Sequence, residues 1–265
     1  LAALEDRLKR GGVGTVVATL GTTATGSVDP LPEILALRER YGFRLHADCA
    51  YGGYYTLASN LALPARAAFD SLGSVDSIVI DPHKHGLQPY GCGCVLFRDA
   101  AVGKYYQHES PYTYFTSGDL HLGEISLECS RPGAAAVALW ATQRLLPLVR
   151  GGEFAGMLET CRASALELHA RLAVDARFIV AFAPELDIVV WAVRAATAAG
   201  SSERARVIFA EAARKDVHLA LAELPVKFFH DRGNSLGGNE TVACLRSVVM
   251  KPEHASSIDR IMASL

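Results

Sequence analysis

The chain has 265 residues; half are hydrophobic, a fifth are charged, and the net charge is -2. This size and composition indicate a globular protein with one large domain or two modest ones, and the near-neutral charge argues against nucleic-acid partners. No apolar run reaches the roughly 18 residues of a membrane span, and the charged N-terminal segment does not resemble a signal peptide, so we expect a cytoplasmic protein without membrane partners.

The first half of the chain alternates between apolar strands and helices. A helix is predicted over residues 31–42 and ends at Gly42, a typical C-cap. Nearly all-apolar strands separated by such segments favour an α/β fold with a mostly parallel sheet that is covered on both faces. The predicted strands are residues 13–21, 43–50, 74–81 and 92–99.

The second half, from about Arg131, has a different pattern. Long helices are predicted over residues 133–149 and 153–172, and a third helix over 202–215 precedes a terminal one. Strands with period-two alternation lie between them and favour a small α+β domain. We therefore divide the chain into residues 1–132, a connecting helix and hinge at 133–152, and a C-terminal α+β domain at 153–265. Its predicted strands are 177–184, 186–194, 219–229 and 241–250.

Polar side chains follow three of the predicted strands at the points where they end. Thr22 and Thr23 follow the first strand, Asp48 ends the second, and Asp81 to Lys84 follow the third. Ligands of parallel sheets gather beyond the carboxyl ends of the strands. The three groups therefore predict one site.

Lys84 is the least ordinary of these residues. A lysine usually carries a solvated surface charge, but a partly desolvated one near other cations is a nucleophile toward carbonyl groups. Asp48 could be a helix N-cap before the segment "AYGGYY". Together, however, a lysine and an acid are what pyridoxal phosphate requires: one to bind it covalently, the other to keep its pyridine nitrogen protonated.

The same residues admit a metal site. His46 and Asp48, or His83 and His85, alternate as metal ligands on a strand sometimes do. Lys84 between the two histidines would repel a cation, so we expect no metal there. The Cys92-x-Cys94 pair has no further ligands nearby, and we interpret the six cysteines as reduced thiols.

Three motifs at their mutual spacings resemble the pyridoxal-phosphate-dependent group II amino-acid decarboxylases. They are "ATLGTTATGSVDP", "HADCAYGG" and "DPHKHG", and the resemblance is specific from Leu1 to Arg131. It implies the fold-type I large domain, followed by a small C-terminal domain, and a decarboxylase that uses pyridoxal 5'-phosphate.

The resemblance also implies roles for individual residues. Lys84 would form the imine with the cofactor, His83 would contact its phosphate, and Asp48 would bind its pyridine nitrogen. Ala50 would pack against the ring, and Thr23 would lie near the ring and Asp48. Asp81 stands where some members have Asn touching phosphate; a carboxylate would repel phosphate, so we expect it to hold a turn or pair with a histidine.

Residues 105–124 have few aliphatic side chains and predict a long loop of the kind that often covers active sites. In the family one tyrosine of this loop protonates the α-carbon, which nominates both Tyr112 and Tyr114. "ECSRPG" resembles the segment whose arginine binds the substrate carboxylate, which nominates Arg131. The aromatic loop carries little positive charge, so an aromatic L-amino acid is the predicted substrate.

Family members carry further chain upstream, including a phosphate-binding segment and a ring-stacking histidine. The resemblance therefore implies a chain that lacks an N-terminal part and forms either a homodimer or an assembly with a chain that supplies that part. Three alternatives stay open: a carbon–carbon lyase, a transaminase on the same fold, and a non-catalytic subunit.

Overall fold

The first sheet has four strands in the order β1-β2-β3-β4. The structure is a computed structural model that describes residues 1–106, 133–229, 236–237 and 240–265. The strands β1 to β3 are parallel and β4 is antiparallel to β3, which confirms the mostly parallel sheet. These strands are β1 (Thr15–Thr19), β2 (Arg44–Asp48), β3 (Ser77–Ile80) and β4 (Cys94–Phe97).

Three helices belong to this part of the chain: α1 (Ala2–Lys9), α2 (Leu31–Tyr41) and α3 (Leu63–Asp70). Helix α2 ends where the sequence predicted, because Gly42 adopts the left-handed conformation with φ 67° that glycine accepts without steric cost. Helix α3 was not predicted. Its apolar side, which includes Ala68 and Phe69, is buried, although the segment is short and rich in alanine.

The C-terminal part contains a four-stranded antiparallel sheet in the order β5-β6-β8-β7, as expected for an α+β domain. None of the described helices has the length and hydropathy that crossing a membrane requires. The strands are β5 (Phe178–Val180), β6 (Ile188–Val193), β7 (Ala220–Pro225) and β8 (Thr241–Val248). The helices are α4 (Ala134–Leu145), α5 (Glu153–Val174), α6 (Ala198–Arg214) and α7 (Ile258–Ser264).

The two faces of the first sheet differ in burial. On one face Ala18, Leu45 and Ala47 are fully buried in a core that continues into the C-terminal domain. The opposite face carries one register row formed by Val17, His46, Ser77 and Phe97 and a second formed by Thr19, Asp48, Val79 and Val95. We call these eight residues the open face. Val17 is 56% exposed and Val95 is 53% exposed, so the described residues do not provide the cover that was predicted for both faces.

Candidate active site

The loops that follow β1, β2 and β3 meet at one edge of the first sheet. The Leu20 N–H donates to the Asp48 carbonyl at 2.8 Å, and the Asp81 N–H donates to the Ala50 carbonyl at 3.2 Å. Parallel neighbours end at the same edge, so the segments that carry Thr23, Asp48 and Lys84 come together there.

Two glycines permit this close approach. A Cβ atom on Gly52 would lie 2.1 Å from the Leu20 carbonyl oxygen, and one on Gly21 would lie 2.8 Å from the Gly52 nitrogen. Gly21 also has a φ of 107°, which side-chain-bearing residues rarely adopt. Backbone therefore packs directly on backbone where the β1 and β2 loops cross.

Asp48 is the last residue of β2 and lies half-buried on the open face. Its Oδ1 accepts a hydrogen bond from the Ala50 N–H at 3.1 Å, which fixes the turn that follows the strand. The short 3₁₀ helix beyond it, Gly53–Leu57, is capped at Gly52. Asp48 is therefore not the N-cap of that helix, and its carboxylate lies at the C-terminal end of β2.

Lys84 forms an ion pair within its own loop. Its Nζ lies 2.9 Å from Asp81 Oδ2, and the Lys84 side chain is 32% exposed. The Lys84 N–H also donates to the Asp81 carbonyl at 2.9 Å. Asp81 thus holds a turn, as one of its two predicted roles requires, and pairs with the amine as well.

A hydrogen bond from Nδ1 fixes the orientation of the His83 ring. Its Nδ1 donates to the Cys92 carbonyl oxygen at 2.7 Å, while Nε2 lies 3.7 Å from Asp81 Oδ2. The ring also packs against Tyr90, with 5.0 Å between centroids. His83 therefore presents Nε2 beside Asp81, the carboxylate that also binds Lys84.

The loop after β1 is ordered by hydroxyl contacts. Thr22 Oγ1 lies 2.8 Å from Thr25 Oγ1 and accepts from the Ser27 N–H at 3.0 Å. Thr23 is exposed, and its carbonyl accepts a hydrogen bond from Arg246 at 2.6 Å. Thr23 is therefore fixed through its backbone.

A buried polar cluster behind Lys84 was not predicted. Tyr51 donates its hydroxyl proton to Asp187 Oδ1 at 2.5 Å, and His85 Nε2 lies 2.7 Å from Asp187 Oδ2. Asp187 is fully buried and the His85 side chain is 1% exposed. A lone acid directly before the apolar strand "IVVWAV" was the only sequence signal for it.

Burial and charge act in opposite directions on the acid of this cluster. Burial by itself raises the pKa of the Asp187 carboxyl. The charge of His85 and the hydrogen bonds from His85 and Tyr51 outweigh burial, so the pKa lies below its usual value. The Tyr51 hydroxyl has its pKa raised well above the usual value, first by burial and then by the Asp187 charge. Asp187 is therefore an ionised acceptor and Tyr51 a neutral donor.

Three nominated residues, Tyr112, Tyr114 and Arg131, lie outside the described residues. Within the described ranges, no three His, Cys, Asp or Glu side chains are grouped so that they could hold a metal ion.

Comparison with known proteins gives consistent results. The family model described as "Pyridoxal-dependent decarboxylase conserved domain" matches residues 1–194. Aspartate 1-decarboxylase of Aliivibrio fischeri is 40% identical over 120 residues, which cover 45% of this chain and 21% of that protein. A probable L-tyrosine/L-aspartate decarboxylase of Methanopyrus kandleri is 35% identical over 181 residues, or 65% of this chain and 46% of that protein. The chain thus spans between about a fifth and a half of these relatives.

Solved structures agree on the fold. Oryza sativa TDC with PLP and tryptamine has a TM-score of 0.78 at 21% identity, and the match covers 99% of this chain and 54% of that one. Mouse CSAD in its apo form has a TM-score of 0.77 at 21% identity, with 98% and 54% covered. Likeness at this identity establishes the fold, which is that of the fold-type I enzymes.

Proposed function

This chain belongs to the pyridoxal-dependent decarboxylase family, and on that premise we propose that it forms part of an enzyme that removes the α-carboxylate of an L-amino acid. The products are an amine and carbon dioxide. The observation that supports the proposal is that β2, which ends at Asp48, and β3, which precedes the Lys84 loop, are parallel neighbours that end at the same edge of the sheet.

The side chains at this edge fit pyridoxal phosphate. The Lys84 amine is partly exposed, and the Asp48 carboxylate accepts a hydrogen bond from the neighbouring Ala50 N–H. An amine that can bind an aldehyde and an acid that can hold a protonated ring nitrogen form the required donor set. When bound, the cofactor accepts the electron pair that is released as the carboxylate leaves.

Each nearby residue has a proposed task. Lys84 would leave Asp81 to bind the cofactor, and Asp48 would hold the proton on the ring nitrogen. Thr23 would lie beside the ring and Ala50 would pack against it, while His83 would contact the phosphate through Nε2. Tyr112 or Tyr114 returns a proton to the α-carbon, and Arg131 binds the substrate carboxylate; these three remain predictions from the family resemblance.

Borohydride labelling tests the role of Lys84. Reduction of the pyridoxal-phosphate-loaded protein, followed by digestion and mass spectrometry, should find pyridoxyl on the peptide that contains "DPHK". Lys104, an exposed lysine nearby in sequence, is the control: Lys104→Ala should keep the label and Lys84→Ala should lose it. Label on any other lysine contradicts the assignment.

Replacement of Asp48 tests the ring-nitrogen contact. Asp48→Asn should keep much of the bound cofactor and slow carbon dioxide release severely, because an unprotonated ring is a poor electron acceptor. Asp6→Asn, on the exposed surface of α1, is the matched control and should not change the rate. Wild-type turnover by Asp48→Asn would refute the role.

Product analysis separates this proposal from the alternatives on the same fold. A decarboxylase gives an amine and carbon dioxide, a lyase gives an aldehyde, and a transaminase gives a keto acid. A non-catalytic subunit would show no product and no borohydride label on Lys84.

For the substrate, we retain the aromatic amino acid as a prediction. The two relatives have names with aspartate or tyrosine, so carbon dioxide release should be compared for tyrosine, tryptophan, aspartate and 2,4-diaminobutyrate.

We further propose that additional polypeptide, either a second copy or a segment that supplies the N-terminal part, covers the open face. Val17, Val95 and Phe97 expose apolar surface on it, and exposed apolar patches of this kind mark interfaces. Co-expression with such a segment should raise solubility, cofactor content and activity together. A monomeric chain that is fully active alone would contradict this.

The free thiols of the described cysteines are consistent with the proposed cytoplasmic location.

A further inference from the structure

Two residues of the C-terminal domain contact all three strand-end loops of the candidate site. Arg246, on β8, donates from Nη2 to the Thr23 carbonyl at 2.6 Å and from Nε to the Ala24 carbonyl at 3.0 Å. Asp187, directly before β6, accepts from Tyr51 in the β2 loop and from His85 in the β3 loop. The loops that carry Thr23, Asp48 and Lys84 are therefore each bound to the second sheet.

Each ring nitrogen of His85 has one oxygen partner. Its Nδ1 lies 3.0 Å from the Tyr51 carbonyl oxygen, which can only accept, so Nδ1 carries a proton. Its Nε2 lies 2.7 Å from Asp187 Oδ2, an ionised carboxylate that also only accepts. His85 therefore links the Tyr51 backbone to the Asp187 carboxylate in the protein interior.

The contact between His85 and Asp187 connects the loop that follows β2 with the loop that follows β3. His85 follows Lys84 directly and Tyr51 lies three residues after Asp48. The His85 ring also packs edge-on against the rings of Tyr51 and Tyr55, with centroids 4.6 Å and 5.3 Å apart. A buried ion pair gains little net stability over an apolar pair, because both ions lose their hydration. Asp187 does, however, fix the positions of two loops relative to each other, because its two carboxylate oxygens contact Tyr51 and His85.

We propose that Asp187 is a positioning residue that, through His85 and Tyr51, sets the placement of Lys84 relative to Asp48. The proposal rests on the function proposed above, in which these two residues bind opposite parts of the cofactor. It assigns the C-terminal domain a part in assembling the site, although Asp187 itself does not contact cofactor or substrate.

The test uses Asp187→Asn in the assembled, pyridoxal-phosphate-loaded enzyme. The amide keeps the shape but replaces one of the two carboxylate oxygens, which face Tyr51 and His85, with an NH2 group. We expect weaker pyridoxal phosphate binding in titrations of the apoprotein and an altered visible circular dichroism of the bound cofactor. We also expect kcat to fall about 10- to 100-fold, as displacements near 1 Å do, with KM for the amino acid unchanged.

The matched control is Glu159→Gln. Glu159, on α5, accepts from the Ser59 N–H and hydroxyl at 2.7 Å, so it also joins the C-terminal domain to the first, but at a position beyond the 3₁₀ helix Gly53–Leu57 that separates Ser59 from Tyr51. The same change from carboxylate to amide there should leave cofactor affinity, the circular dichroism signal and kcat at their wild-type values.

Tyr51→Phe decides the question if Asp187→Asn does not fold. It removes one hydroxyl and keeps the ring packed on His85, so kcat should fall about two- to tenfold with the same spectroscopic change. If Asp187→Asn and Tyr51→Phe lower thermal stability but bind cofactor and turn over as Glu159→Gln does, the pair only joins the domains and the proposal is overturned. A wild-type protein that neither binds cofactor nor releases carbon dioxide would instead refute the proposed function.

Discussion

Replacing Gly52 with alanine should destabilise the protein and disturb its site, because no space exists for a side chain there. The new Cβ would lie 2.1 Å from the Leu20 carbonyl oxygen, whereas real Cβ atoms essentially never approach within 3.0 Å. The loops after β1 and β2 must therefore separate by about 1 Å. Overpacking typically costs about 1–3 kcal/mol, and we expect about 3 kcal/mol because the obstructing atom belongs to the backbone. For a chain of this size that corresponds to a fall in Tm of about 6–12 °C.

Gly156→Ala is the matched control for this experiment. Gly156 lies in the long helix α5, and a Cβ there would meet nothing within 4 Å. Alanine should therefore raise the free energy of unfolding by about 0.5–1 kcal/mol, since it loses less backbone entropy on folding. Thermal unfolding followed by circular dichroism measures both variants. If Gly52→Ala matched or exceeded the wild-type Tm while Gly156→Ala behaved as expected, the close crossing of the two loops would be refuted.

Three further predictions concern charge and burial. Asp81→Asn removes a carboxylate that pairs with Lys84 and that would repel the cofactor phosphate. The Kd for pyridoxal phosphate, measured by absorbance titration, should therefore fall up to about fivefold. A higher Kd would contradict this. The folded pKa of Asp187 lies below its unfolded value of about 3.9, so its contribution to stability is complete above about pH 5 and is lost as pH falls through the folded pKa. Asp187→Asn should therefore flatten the fall in urea midpoint between about pH 5 and pH 3, and an unchanged slope would show that the pair does not titrate on unfolding. Burial raises the pKa of three thiols to about 12, so about one thiol in ten thousand is ionised at pH 8. A disulfide reagent should therefore label these thiols only after the protein unfolds. Rapid labelling of the native chain would contradict their burial. These thiols are Cys49, Cys161 and Cys244.

Much of the secondary structure could be predicted from local sequence. The all-apolar strands, the period-two strands and the helix that ends at Gly42 were confirmed, because each pattern depends on neighbours within a few residues. The order of polar residues after the strands also located Asp48 and Lys84 at one sheet edge, since parallel strands end together. Helix α3 was missed because its short buried side depends on packing rather than on periodicity.

Only the tertiary structure revealed what lies behind that edge. His85 and Asp187 are 102 residues apart, and Arg246 and Thr23 are 223 apart. The sequence places Lys84 and Asp48 on their loops, because a strand and the turn after it are local structures. It does not show that Asp187 joins those loops. A single buried acid follows no periodic pattern, and its partners are determined by how the second sheet packs on the first.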